Sequence, residues 1–144
     1  MSRLGLATAL SLFLHAQTAF AGFLPDIVGK WQYDGFLFEE HRYPPTDPNL
    51  QVLFTFNADL TGRLYWYRTN EPGFCERTST YELTGDVLKQ TVTWVNPSND
   101  VSCSKDPDMQ LGRTTQNEID LGMRELGIHM ELNSKPLIYI LKRL

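Results

Sequence analysis

From Trp31 to Arg143 this chain is a succession of short segments in which apolar and polar residues alternate, each stopped by turn chemistry within about ten residues. A period of two puts successive side chains on opposite faces of an extended strand. Trp31 to Phe38 is the first such segment, with Asp34-Gly35 marking a bulge or bend. Gln51 to Asn57 has Val52, Phe54 and Phe56 on one face, and Ala58-Asp59-Leu60-Thr61-Gly62 supplies a turn. Arg63 to Thr69 returns with Leu64 and Trp66 facing one way and Tyr65 and Tyr67 the other, and Glu71-Pro72-Gly73 ends it. Cys75 to Leu83 and Val87 to Val95 flank Thr84-Gly85-Asp86, a tight hairpin. In the second of these strands Leu88, Val92 and Trp94 form an apolar face broken by Gln90.

The remaining segments follow the same rule. Strands are expected at Gln110 to Thr115 and Glu118 to Met123 around a turn at Gln116-Asn117, and at Ile128 to Leu132 and Leu137 to Arg143 around Asn133-Ser134-Lys135-Pro136. His41 to Asn49 carries Pro44, Pro45 and Pro48, which lack the amide donor a central strand needs, and reads as an extended loop or lid. Asn96 to Asp108 is the longest polar stretch. A single helical turn around Leu24 to Val28 is the only helical expectation. Eight to nine short strands at this spacing give an all-β chain, an antiparallel barrel or sandwich, and closure into a barrel removes the exposed edges of so many strands.

The amino terminus bounds the compartment. Met1-Ser2-Arg3, an apolar run from Leu4 to Leu14 and Ala19-Phe20-Ala21 before Gly22 form the three parts of a cleavable signal peptide, residues 1–21. The apolar run is shorter than the roughly 20 residues a bilayer crossing needs, and no transmembrane segment is expected after cleavage. Residues 22–144 are then one domain, expected in the periplasm or secreted. The formal net charge of −4, with no basic cluster, argues against nucleic acid as a partner. Cys75 and Cys103 are the two cysteines, and in an oxidising compartment they are expected to form a disulfide.

Several short motifs resemble the lipocalin-like branch of the calycin barrels. They are Gly29-x-Trp31 at the first strand, Phe54-x-Phe56-Asn57-x-Asp59-x-Thr61-Gly62 at an early hairpin, Tyr81-x-Leu83-x-Gly85-Asp86-x-Leu88 at a second, and Ile138-Tyr139-Ile140-Leu141-Lys142-Arg143 as a closing strand with its basic residue. The resemblance implies a single antiparallel up-and-down β-barrel of about eight strands. It also implies that Gly29, Trp31 and Arg143 close the barrel floor, with Arg143, or Lys142 in another register, stacked on the indole. Leu60 departs from the pattern, since small exported relatives often carry glycine there. The long loop around Cys103 is a second departure.

Such a barrel is just wide enough to be filled by side chains or to hold one small ligand. Phe54, Phe56, Trp66, Tyr81, Trp94 and Met130 are the candidate inward-facing residues, and Gln90 is an amide on an apolar face that needs a partner when buried. His41 beside Glu39 and Glu40 reads as a solvated rim, because adjacent side chains of a strand diverge. His129 reads as an ordinary strand histidine, and Asp100, Asp106 and Asp108 lack the spacing of a calcium loop. No Gly-x-Ser-x-Gly elbow and no glycine-rich phosphate loop occurs. The expectation is a monomeric, non-enzymatic exported protein without cofactor or metal, binding a small apolar ligand. The alternative is an envelope protein-interaction or enzyme-inhibitor module with a filled barrel and a protein partner. Its surface would be one of the two long loops, with Tyr65 and Tyr67 exposed beside it.

Overall fold

The computed structural model describes residues 26–144. The expected signal peptide lies outside the described residues, as do Leu24 and Pro25 of the expected helical turn; Asp26 to Val28 is not helical. Nine strands follow: β1 (Gly29–Phe38), β2 (His41–Tyr43), β3 (Leu50–Phe56), β4 (Thr61–Arg68), β5 (Phe74–Thr84), β6 (Val87–Val95), β7 (Thr114–Leu121), β8 (Glu125–Leu132) and β9 (Lys135–Arg143). β1 pairs with β3, each strand from β3 to β9 pairs antiparallel with the next, and β9 pairs back onto β1. Eight strands thus close an up-and-down barrel. The three-residue β2 continues the same edge of β1 beyond β3, facing Phe36 to Phe38 where β3 faces Gly29 to Gln32.

That shared edge depends on a bulge. The β1–β9 register shifts between Tyr33 and Gly35, so Trp31 and Tyr33 point inward, and then Phe36, opposite Tyr139, does too. Gly35 has φ 129°, and a Cβ there would lie 2.2 Å from the Tyr43 carbonyl oxygen, so only glycine lets the returning chain pass so close.

Local sequence differs from the expected strands in three places. His41 to Tyr43 forms β2 rather than loop, because its amides precede the prolines and can pair at an edge. Gln116-Asn117 lies inside β7 instead of turning, so the two strands expected at Gln110 to Thr115 and Glu118 to Met123 are one, and residues 110–113 are not strand. The barrel wall there is polar on both faces, and Asn117 Nδ2 donates to the His129 carbonyl. Within the polar stretch before β7, Val101–Lys105 and Pro107–Met109 form two 3₁₀ turns. Asp100 and Asp106 cap them by accepting from the amides of Ser102 and Asp108, at 2.8 and 2.9 Å, and Pro107 opens the second.

The core divides along the barrel axis. At the closed end Ile27, Trp31, Phe56, Tyr81, Leu88, Ile119, Leu126, Ile128 and Leu141 pack together. Nearer the open end a smaller cluster joins Leu64 and Cys75 to Cys103 and Met109. The Cys75–Cys103 disulfide is formed and pulls the segment after β6 back over the barrel mouth.

Candidate functional site: the barrel interior

The floor is built first. Trp31 is fully buried, donates from Nε1 to the Ile27 carbonyl at 2.8 Å, and stands opposite Arg143 in the β1–β9 register. Arg143 stacks on its indole at 4.2 Å. Tyr81 packs edge-on against Phe56 and its hydroxyl donates to the Asn57 carbonyl at 2.7 Å, which satisfies the phenol.

Above the floor the interior is hollow. A cavity of about 390 Å³ is bordered by Tyr33, Val52, Phe54, Leu64, Trp66 and Tyr139. A second lobe, also about 390 Å³, shares Phe54, Leu64, Met130 and Tyr139 and reaches Arg77, Gln90 and Ile128. Both volumes fall in the range of small-molecule sites, about 300–1,000 Å³. Thr46, from the proline-rich segment, and Asp106 and Asp108, from the 3₁₀ turns, border the mouth.

The expected site residues therefore separate into three groups. Phe54, Trp66, Gln90 and Met130 line the cavity. Phe56 and Tyr81 face inward but belong to the packed floor, and neither borders the cavity. Trp94 is a correction: it is 44% exposed and lies on the outer wall. The β5–β6 register shifts between Thr78 and Ser79, so Trp94 pairs with Thr78, whose neighbours Arg77 and Ser79 are buried inward. One extra residue in β6 reverses the alternation there. His129 also faces outward, 2.7 Å from Asp120, while His41 Nδ1 contacts the Glu39 carbonyl at 2.8 Å; both lie away from the cavity.

The residue that sequence reasoning missed is Arg77. It is only 4% exposed and borders the cavity, and its Nε and Nη1 have no hydrogen-bond partner among the described residues. The neighbouring inward residue on β5, Ser79, has an equally unpartnered hydroxyl. Burial pushes the Arg77 pKa below the ordinary arginine value, and the carboxylates of Asp108 and Asp106 oppose that shift. Arginine stays charged regardless, so the cavity wall holds a nearly buried cation. The signal was present in the sequence: Arg77 shares its alternation phase with Cys75, Ser79 and Tyr81, all of which are buried.

Two phenols complete the wall. Tyr33 and Tyr139 pack edge-to-face at 5.1 Å. Burial, and then the neighbouring Tyr139, push the Tyr33 pKa up to about 12; burial also raises that of Tyr139. Both therefore remain neutral donors at any physiological pH. The wall thus combines an aromatic and aliphatic lining with two phenols, the Gln90 amide and the buried Arg77, and its borders add Arg68, Arg113, Asp106, Asp108 and Glu131.

No protein-family model matches the chain. No curated protein matches it in sequence either. Among solved structures it is similar to a lipocalin-like protein from Bacteroides uniformis, with a TM-score of 0.55 and 16% identity, over 81% of this chain and 97% of that one. Identity that low speaks to the fold alone. A closed eight-stranded antiparallel barrel of this topology, matched over nearly the whole of that chain, gives this protein a lipocalin-like fold.

Proposed function

We propose that the protein is an exported, non-enzymatic carrier or sensor that takes one small, largely apolar molecule into the barrel. The observation that carries this reading is the open cavity above the packed floor, walled by Val52, Phe54, Leu64, Trp66, Met130 and Leu141. A barrel filled to the mouth would favour the interaction-module alternative; this one is packed at one end and hollow at the other. Export is supported by the amino-terminal signal pattern and by the disulfide that holds the mouth segment.

The test is mass spectrometry of protein purified from an oxidising compartment, under native and then denaturing conditions. The expected result is added mass in the native spectrum that disappears on denaturation and identifies the ligand class. A bare native mass that stays bare after incubation with lipid extract would overturn the carrier reading. The outer aromatic cluster of Tyr65, Tyr67 and Phe74, with ring centroids 5.6 Å apart in each contact, would then be the surface to probe for a protein partner.

A further inference from the structure

We infer that the ligand is a monoanionic amphiphile, an apolar body bearing one carboxylate-type group, and that Arg77 takes its charge. This rests on the carrier reading and specifies the chemistry of the same cavity. Arg77 is more than nine-tenths buried, borders the cavity, and has Nε and Nη1 unpartnered among the described residues. Burying a guanidinium is costly, the carboxylates of Asp108 and Asp106 offset only part of that cost, and an anion in the cavity that bonds the unpartnered donors offsets more of it. Gln90 borders the same lobe and adds a neutral amide donor beside the charge. The other lobe includes Val52, Phe54, Leu64, Trp66 and Leu141, which suit the apolar body, and Arg68 at its border is paired with Asp47.

The acidic residues at the mouth narrow the choice further. Asp106 and Asp108 border the cavity and their carboxylates act on the guanidinium, so a dianion such as a phosphate monoester meets more repulsion from them than a monoanion does. A cation would be attracted to that rim but repelled by Arg77 from the interior. One negative charge, carried behind or ahead of a hydrocarbon body, is the arrangement these groups accept.

The experiment compares dodecanoate, dodecanol and dodecylamine as competitors of a neutral phenylnaphthylamine dye, at pH 8, for the wild-type protein and for Arg77→Met and Arg77→Lys. Circular dichroism and thermal melts check that each variant is folded. The wild type is expected to bind the acid at least about tenfold more tightly than the alcohol. Arg77→Met is expected to abolish that preference, and Arg77→Lys to retain part of it. Acid and alcohol binding equally to the wild type would overturn the anion inference and leave the carrier reading standing. So would tightest binding of the amine, or an acid preference that survives in folded Arg77→Met. If the dye and all three competitors fail to bind, the carrier reading itself falls. The wild-type comparison decides the matter even if Arg77→Met does not fold.

Discussion

The guanidinium carbon of Arg143 lies 4.2 Å from the centre of the Trp31 ring system, and the same side chain donates to three backbone carbonyls: Val28 at 2.8 Å, Met123 at 3.0 Å, and Asp26. One residue of the last strand therefore joins the segment before β1, the first strand itself and the turn between β7 and β8. Gly29 makes room for it. A Cβ at that position, where φ is 141°, would lie 2.7 Å from Arg143 Nη1. The Gly-x-Trp pairing is thus a single device: the glycine admits the arginine that the tryptophan stacks against.

Arg143→Met keeps the aliphatic stem but removes the stacked charge and its donors. It is expected to destabilise the protein by about 2–4 kcal/mol in urea unfolding at pH 7. Arg143→Lys should recover less than half, since an ammonium cannot span three carbonyls while lying flat on an indole. A loss under about 0.5 kcal/mol for Arg143→Met would show that the floor is held by apolar packing alone.

How far the sequence reaches is clearest at three residues. Alternation assigns Phe54, Phe56 and Trp66 to one face, and all three do face inward. It gives no height along the barrel axis, so it does not separate Phe56 in the packed floor from Phe54 and Trp66 at the cavity. Trp94 shows a second limit, because the bulge opposite Thr78 and Ser79 adds one residue that no local pattern announces. Arg77 shows a third. Its phase on β5 points inward, but an arginine among Glu76, Thr78 and Thr80 reads as a surface group until the Cys75–Cys103 link and the barrel closure bury it. The hairpins between β3 and β6 were legible because their turns are short and chemically marked. The Gln116-Asn117 turn was misread because amides mark turns and polar barrel walls alike.

Three turns hold non-glycine residues in left-handed backbone conformations, Glu39-Glu40 between β1 and β2 among them. Leu60 has φ 66° and is 54% exposed; Asn133 and Ser134, the two-residue loop between β8 and β9, have φ 51° and 63°. Positive φ at both positions defines a type I′ hairpin, for which Asn-Gly is the preferred pair. Leu60→Gly and Ser134→Gly are each expected to stabilise by about 0.5–1.5 kcal/mol, because the strain removed at φ > 0 exceeds the chain entropy that glycine adds. Thermal and urea melts measure this. A lower melting temperature for Leu60→Gly would mean that its side chain contributes packing which outweighs the strain.

Stability should fall at alkaline pH through Tyr33. A phenol whose folded pKa is raised favours the folded state while it is protonated. Its contribution is complete below the ordinary value of 10.0 and is lost as the pH rises toward about 12. Urea midpoints measured between pH 9 and pH 11.5 should therefore decline, and decline less in Tyr33→Phe, which has no phenol to ionise; the pH range here is roughly that over which a tyrosine titrates. Equal alkaline losses in the two proteins would place the titrating group elsewhere.

The disulfide has two separable effects. It closes a loop across a sequence separation of 28, for which the chain-entropy relation gives about 3.5 kcal/mol. It also holds Cys103 and Met109 against Leu64 at the barrel mouth. The double variant Cys75→Ala/Cys103→Ala is expected to lose about that stability and to become insensitive to reductant. The same change should speed release of a bound dye, read by stopped-flow fluorescence. Unchanged release in a folded double variant would show that Met109 and the 3₁₀ turns keep their place without the covalent tie.

Asp108 borders both lobes of the cavity, and its carboxylate acts on Arg77 more strongly than that of Asp106, which is engaged in capping its own turn through the Asp108 amide. A rim carboxylate near a buried guanidinium competes with any anion that approaches it. Asp108→Asn keeps the shape and removes the charge, so dodecanoate affinity should rise, by roughly threefold to tenfold for a pair of charges screened as at a protein surface. Dodecanol affinity should stay within about twofold, and the acid's gain should shrink as salt is raised from 0.05 to about 0.5 M, where exposed charges are screened beyond a few ångströms. Asp106→Asn is expected to do less for affinity and to leave stability nearly unchanged, because an asparagine Oδ1 still accepts from the Asp108 amide. If Asp108→Asn weakens dodecanoate binding, its carboxylate orients the guanidinium toward the ligand instead of competing for it.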